Sequence, residues 1–105
     1  MQLNIGSIKV PHAAVLAPMS GITDQPFRRI VRSLGGGLVV SEMIASHAIL
    51  NSIKKEIRKL KFSAKEEAPL SIQLAGWEPE VMAEAAKISE QLGASLIDIN
   101  LGCPA

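Results

Sequence analysis

The sequence predicts an α/β protein with a parallel sheet, and three observations carry that prediction. Short apolar runs alternate with amphipathic segments long enough to form helices. Glycine and proline mark several of the boundaries, at Pro18, Gly35-Gly-Gly37, Gly93 and Pro104. Two of the runs, Leu70-Ser-Ile-Gln-Leu74 and Ser95-Leu-Ile-Asp-Ile-Asn100, set polar residues opposite in phase to apolar ones. Side chains alternate along a strand, so Gln73 opposes Leu70, Ile72 and Leu74, while Leu96, Asp98 and Asn100 share one face and Ile97, Ile99 and Leu101 the other.

Residues 3–10 predict a small hairpin with Gly6-Ser7 as its turn. Ala13 to Ala17 is a short buried strand closed by Pro18. After a polar loop, Thr23 or Asp24 caps a helix that tolerates Pro26 in its first turn. Phe27, Ile30, Val31 and Leu34 are spaced as one buried stripe, with Arg28, Arg29 and Arg32 off it at the surface. Gly35-Gly36-Gly37 ends that helix.

Leu38 to Met43 predicts the second strand, with Glu42 at its carboxyl end. A second helix from about residue 45 has Ile49, Ile53, Ile57 and Leu60 as its apolar stripe. Ser63 to Pro69 is a charged loop, and Leu70–Leu74 the third strand. The third helix buries Val81, Ala85, Ile88 and Leu92, with Gly93 just past its end. Ser95–Asn100 is the fourth strand.

Helical connections of this length imply parallel neighbours and right-handed crossovers. Polar residues alternating on strands three and four suit a barrel lumen better than a sheet covered by helices on both faces. The fold class is therefore α/β, a partial (β/α)₈ barrel: an amino-terminal hairpin, then about four parallel strands and three helices. A full barrel takes about 250 residues, and this sequence has 105, read as one domain. A half-barrel leaves a sheet edge and lumen face open, a surface for association.

The formal net charge of +1 hides an asymmetry. Residues 1–62 hold nine basic against three acidic residues, a balance of +6, and residues 63–105 two against seven, a balance of −5. A basic first half is compatible with a polyanionic partner, although solvated basic helix faces are commoner. A single cysteine excludes an internal disulfide and favours a reducing compartment. No apolar run approaches a membrane span, and the start lacks the plan of a signal peptide. The expected location is cytoplasmic.

Ligands of parallel α/β folds bind at the carboxyl ends of strands. Gln73, Asn100 and the lone thiol of Cys103 all fall there, as does Met19 just after Pro18. Gly102 permits a tight turn or a close ligand approach. Asp98 reads as a structural acceptor in the lumen, Trp77 as packing over a loop, and Glu42 carries no catalytic assignment. His12 and His47 have no partner at ligand spacing, so no metal site is expected.

At Ala17-Pro-Met-Ser-Gly-Ile-Thr-Asp-Gln-Pro-Phe-Arg28 the chain resembles the tRNA-dihydrouridine synthases. Ser41-Glu-Met43, Gln73-Leu-Ala-Gly76 and Asp98-Ile-Asn-Leu-Gly-Cys-Pro104 extend the resemblance in order. It covers essentially all 105 residues, but only the amino-terminal part of the family's FMN-binding barrel. It implies that FMN, reduced by NADPH, delivers hydride to C6 of a tRNA uridine while a cysteine protonates C5. Cys103 matches that proton donor, and a thiol is mostly protonated at neutral pH yet able to give its proton up. Pro18, Met19 and Ser20 match a flavin-contacting segment, Gln73 a side chain on the isoalloxazine edge, and Asn100 a residue at the flavin–uracil interface.

The family's later lysine and histidine, its phosphate-binding loops and its helical tRNA-binding domain have no counterpart in residues 1–105. The resemblance thus implies that this polypeptide alone is inactive, and that tRNA is a partner of the completed enzyme. The expected protein partner is a complementary carboxy-terminal chain, or a second copy associating through the open barrel edge. Two alternatives stand beside this reading. One is a non-catalytic remnant acting as an association module. The other is a dihydroorotate-dehydrogenase-like oxidoreductase, since that family carries a similar Asn-x-Gly-Cys-Pro run, but the Ser20–Arg28 segment argues against it.

Overall fold

A computed structural model describes residues 3–45, 55 and 62–103 of the chain. Strands β1 (Leu3–Ile5) and β2 (Ile8–Val10) form the expected antiparallel hairpin. Gly6 takes a left-handed φ of +59° at its turn, a conformation that costs glycine little. The main sheet comprises β3 (Val15–Leu16), β4 (Leu38–Val40), β5 (Ile44–Ala45), β6 (Leu70–Ala75) and β7 (Leu96–Ile99), and every pairing in it is parallel.

β6 lies at the centre. On one edge it pairs with β7 from Ser71↔Leu96 to Leu74↔Ile99. On the other it pairs with β4 (Val39↔Leu70, Val40↔Ser71) and then β5 (Ile44↔Leu74, Ala45↔Ala75). From Val40 to Ile44 the chain takes four steps, while β6 takes three from Ser71 to Leu74. One extra residue therefore sits in Ser41-Glu42-Met43, a bulge that splits the expected continuous strand Leu38–Met43 in two. Counting β4 and β5 as one interrupted strand, spatial order follows chain order, as in a barrel wall. A doubly wound sheet would reverse its strand order.

The core lies on one side of this sheet. Val39, Ile44, Leu70, Ile72 and Leu74 are buried there with Ala85, and Leu16, Val31, Val81, Met82, Ile88 and Ile97 pack around them. Helix α3 (Pro79–Gln91) supplies Val81, Ala85 and Ile88 as expected, but Leu92 is its exposed C-cap. Ser89 is buried instead, with its hydroxyl donating to the Ala85 carbonyl at 2.8 Å. Past that cap, Gly93 takes φ +106° and donates to the Glu90 carbonyl while Ala94 donates to that of Ser89. These are the paired bonds of a Schellman stop.

Helix α1 (Gln25–Ser33) is capped by Asp24, whose Oδ1 accepts the Phe27 amide at 3.1 Å. Its end repeats the Schellman pattern, Gly35 donating to Arg32 and Gly36 to Val31. At Gly37 a Cβ would come within 2.3 Å of the His12 carbonyl oxygen, so only glycine lets the strands converge there.

The expected facing of α1 is corrected. Phe27, Ile30 and Leu34 are exposed, Leu34 at 82%, and Arg28 is fully buried. Relative to its apolar stripe the helix is turned by roughly one residue step, about 100°. Arg28 Nε donates to Glu67 Oε1 at 2.6 Å, and its Nη1 to the Thr23 carbonyl at 2.9 Å. Arg32 donates to the carbonyls of Gly36 and Gly37, and to that of Ala68 at 2.5 Å. Arg29 meets Glu66 at 2.9 Å at the surface.

Glu67 belongs to a four-residue helix, α2 (Ala64–Glu67), in what reads as a charged loop. Ser63 caps it through Oγ, and Glu67 Oε2 accepts the Ser63 amide at 2.7 Å. A single turn is too short to show a period in sequence. The helix expected from residue 45, with Ile49, Ile53, Ile57 and Leu60, lies outside the described residues, as does His47. Among the described residues no helix is long and apolar enough to cross a membrane.

Both side chains of the Arg28–Glu67 pair are fully buried, so losing one partner strands a charge. Glu67→Ala should lower unfolding free energy in urea by about 3–5 kcal/mol. The double variant Arg28→Met/Glu67→Leu should recover most of that loss. An E67A penalty under about 1 kcal/mol would mean a solvated pair.

Candidate active site at the strand ends

Parallel pairing sends the carboxyl ends of β3, β5, β6 and β7 to one rim. Gln73 pairs with Asp98 across β6 and β7, which sets both side chains on the face opposite the core. Gln73 Nε2 donates to Asp98 Oδ2 at 2.5 Å, and Asn100 Nδ2 donates to Gln73 Oε1 at 3.3 Å. The same Nδ2 lies 3.3 Å from Met43 Sδ. Asn100 Oδ1 accepts the backbone amides of Gly102 at 2.9 Å and Cys103 at 2.8 Å. This Asx-type turn ends the strand and places the thiol.

Cys103 is exposed, and it lines a pocket of about 230 Å³ with Ala75, Gly76, Trp77, Asn100 and Leu101. Two larger depressions lie elsewhere. One of about 310 Å³ runs along α3 and β7, and one of about 340 Å³ lies between Arg29, Arg32, Ser33 and Glu66. Neither brings a thiol beside an amide side chain, as the smaller pocket does with Cys103 and Asn100.

The turn after β3 is stitched to itself. The Met19 carbonyl accepts the amides of Ile22 and Thr23, and Thr23 Oγ1 accepts the Met19 amide at 3.0 Å. Gly21, at φ +78°, donates its amide to Glu42 Oε1 at 2.5 Å. Glu42 thus clasps the loop carrying Pro18, Met19 and Ser20 onto the β4–β5 bulge. Within the same bulge Ser41 Oγ accepts the Gln73 amide at 3.1 Å. That amide falls where the bulge interrupts the ladder, and the hydroxyl satisfies it.

The structure therefore joins Gln73, Asn100 and Cys103 through hydrogen bonds and one turn. Pro18, Met19 and Ser20 stand at the β3 end of the rim, outside the lining of the 230 Å³ pocket. Sequence reasoning left Glu42 without a role and placed Trp77 over a loop. Glu42 is the clasp, and Trp77 is largely exposed at the pocket wall. Ser41 and Met43 were likewise unassigned. Their signal is the bulge, which appears only when two strands are laid side by side. Gly102 has open space where a Cβ would project, so the fold itself does not demand glycine there.

The family model for dihydrouridine synthase (Dus) matches residues 15–105. The chain belongs to the dihydrouridine synthase family. A probable tRNA-dihydrouridine synthase of Rickettsia bellii is 48% identical over 103 residues, 98% of this chain and 32% of that protein. tRNA-dihydrouridine synthase B of Pseudomonas aeruginosa is 48% identical over 104 residues, covering 98% and 31%. A probable tRNA-dihydrouridine synthase of Rhodobacter capsulatus is 49% identical over 105 residues, covering 100% and 32%. The chain spans about a third of the length of these dihydrouridine synthases.

Glu42→Ala should release the Gly21 amide. Its hydrogen exchange, followed by nuclear magnetic resonance, should quicken about tenfold, the scale of a lost charge-assisted bond. Amides in α3 should not respond. Unchanged exchange at Gly21 would remove Glu42 from the loop's support.

Proposed function

We propose that this chain forms the flavin- and base-facing rim of a tRNA-dihydrouridine synthase. The observation that carries the proposal is the placement of the Cys103 thiol on the Asn100 turn, above Gln73, in the pocket walled by Trp77. Residues 1–105 act in this reading as the amino-terminal half of a barrel domain. The carboxy-terminal half and a helical tRNA-binding domain complete it. A ring ligand fits the donor set at this rim, because Gln73 and Asn100 are amides and Trp77 offers an exposed aromatic face.

FMN, kept reduced by NADPH, supplies the hydride that C6 of the uracil ring receives. Gln73 and the backbone of Pro18, Met19 and Ser20 would hold the ring, and Asn100 would contact flavin and base. Cys103 gives its Sγ proton to C5 as the 5,6 double bond is lost, and its exposure lets solvent restore that proton. A uridine flipped out of folded tRNA would reach a rim of this kind.

Trp77 is the chain's one tryptophan, so its fluorescence reports on the pocket. FMN should quench it, and Gln73→Ala should weaken that quenching without unfolding the chain. The isolated chain should not reduce tRNA uridine. Continued by the rest of the Rhodobacter capsulatus relative, it should, and Cys103→Ala should then slow turnover by about 10²–10⁴-fold with flavin retained. Full turnover in C103A would remove the thiol from the reaction.

A second reading, an association module, is favoured by apolar exposure on both flanks of the sheet. Leu34 at the C-cap of α1, Ile99 at the end of β7 and Leu101 after it lie open, Leu101 at 93%. Sedimentation separates the two readings. Colourless oligomers that ignore FMN support the module, and flavin uptake on adding a complementary carboxy-terminal chain supports the synthase.

A further inference from the structure

The amides at the rim belong to a line of hydrogen bonds with only one possible direction. At one end stands the Asp98 carboxylate, which when ionised can only accept. At the other stand the backbone amides of Gly102 and Cys103, which can only donate. Between them lie Gln73 and Asn100, each able to turn its amide either way. The acceptor at the Asp98 end requires Gln73 to face it with Nε2, leaving Oε1 toward Asn100. Asn100 must then face Gln73 with Nδ2, leaving Oδ1 for the two backbone amides. Either end alone dictates the same orientation for both side chains.

We propose that Asp98 is a positioning residue that sets this polarity, so that the rim offers a ligand chiefly N–H donors, with one lone pair of Gln73 Oε1 as the remaining amide acceptor. The valences support it. Asn100 Oδ1 already accepts two bonds, which fills both its lone pairs. One N–H of Gln73 is committed to Asp98, and the second is the group left for a ligand. The Asn100 Nδ2 approach to Met43 Sδ meets a weak acceptor that a ligand oxygen would displace. The class of ligand edge selected carries ring carbonyls or unprotonated ring nitrogens. The ligand part of this inference rests on the flavin reading above. The orientation part does not.

The test uses side-chain amide resonances of the ¹⁵N-labelled 105-residue chain. Without ligand, the wild-type Gln73 and Asn100 side-chain amides should be separately resolved and slow to exchange. Asp98→Asn keeps the shape and removes the charge. It should leave the melting temperature and the backbone spectrum of α3 near wild type, while Gln73 side-chain exchange quickens about tenfold. FMN added to wild type should move both side-chain amide proton pairs downfield, as donation to an acceptor requires. Free-chain exchange at Gln73 in the wild type overturns the polarity assignment, whether or not D98N folds. So does an unaltered Gln73 signal in a folded D98N. If FMN shifts nothing, with or without a complementary carboxy-terminal chain, while both unliganded results hold, the flavin reading fails and Asp98 keeps its role.

Discussion

The structure depends on β6 being paired in parallel along both edges while its neighbour gains one residue. Pairing on both edges aligns the strands and brings their carboxyl ends to one rim. The inserted residue then makes that rim chemical. Ser41, Glu42 and Met43 are the three residues of the bulge, and each touches a different part of the site. Ser41 accepts the Gln73 amide, Glu42 accepts the Gly21 amide, and Met43 lies against Asn100. A regular ladder would satisfy the Gln73 amide with a carbonyl and leave no such residues to reach sideways.

β6 also shows how one strand holds core and site together. Leu70, Ile72 and Leu74 are fully buried, each worth about 1.5–3 kcal/mol by transfer. Ser71 and Gln73 alternate with them and are almost as buried. A slip of one residue would exchange the faces, setting the leucines against polar partners and an amide in the core. Register is thus enforced from both sides. Among the described residues no buried side-chain nitrogen or oxygen lacks a partner. The polar face is therefore largely self-supporting, with Gln73 bonded to Asp98 and Asn100, and Asn100 to the turn that follows.

What was legible in the sequence had a period or a terminator. Alternation disclosed β6 and β7 and the face shared by Gln73, Asp98 and Asn100. Glycine disclosed the ends of α1 and α3, where Gly35 and Gly93 take the left-handed conformation. What was hidden depends on comparing segments far apart in the chain. The bulge exists only as a difference in step count between two paired strands. The Glu42 clasp spans 21 residues, and the Arg28–Glu67 pair spans 39. Of the site, Gln73, Asn100 and Cys103 stood at recognisable strand ends, whereas their supports did not.

The rotation of α1 explains why an amphipathic pattern can mislead about facing. Hydrophobic burial is non-directional and specifies only that a stripe be covered. Directional bonds specify an orientation, and α1 has several. Arg28 reaches Glu67 and the Thr23 carbonyl, and Arg32 reaches carbonyls of the Gly36–Gly37 turn and of Ala68. A guanidinium is planar and presents its donors in a fixed fork, so two of them on one side leave the helix little freedom to rotate. The stripe of Phe27, Ile30 and Leu34 is then turned outward as a consequence, not by its own preference. The α1 pattern thus describes apolar residues left at the surface, while the arginines beside them decide how the helix sits on its own sheet.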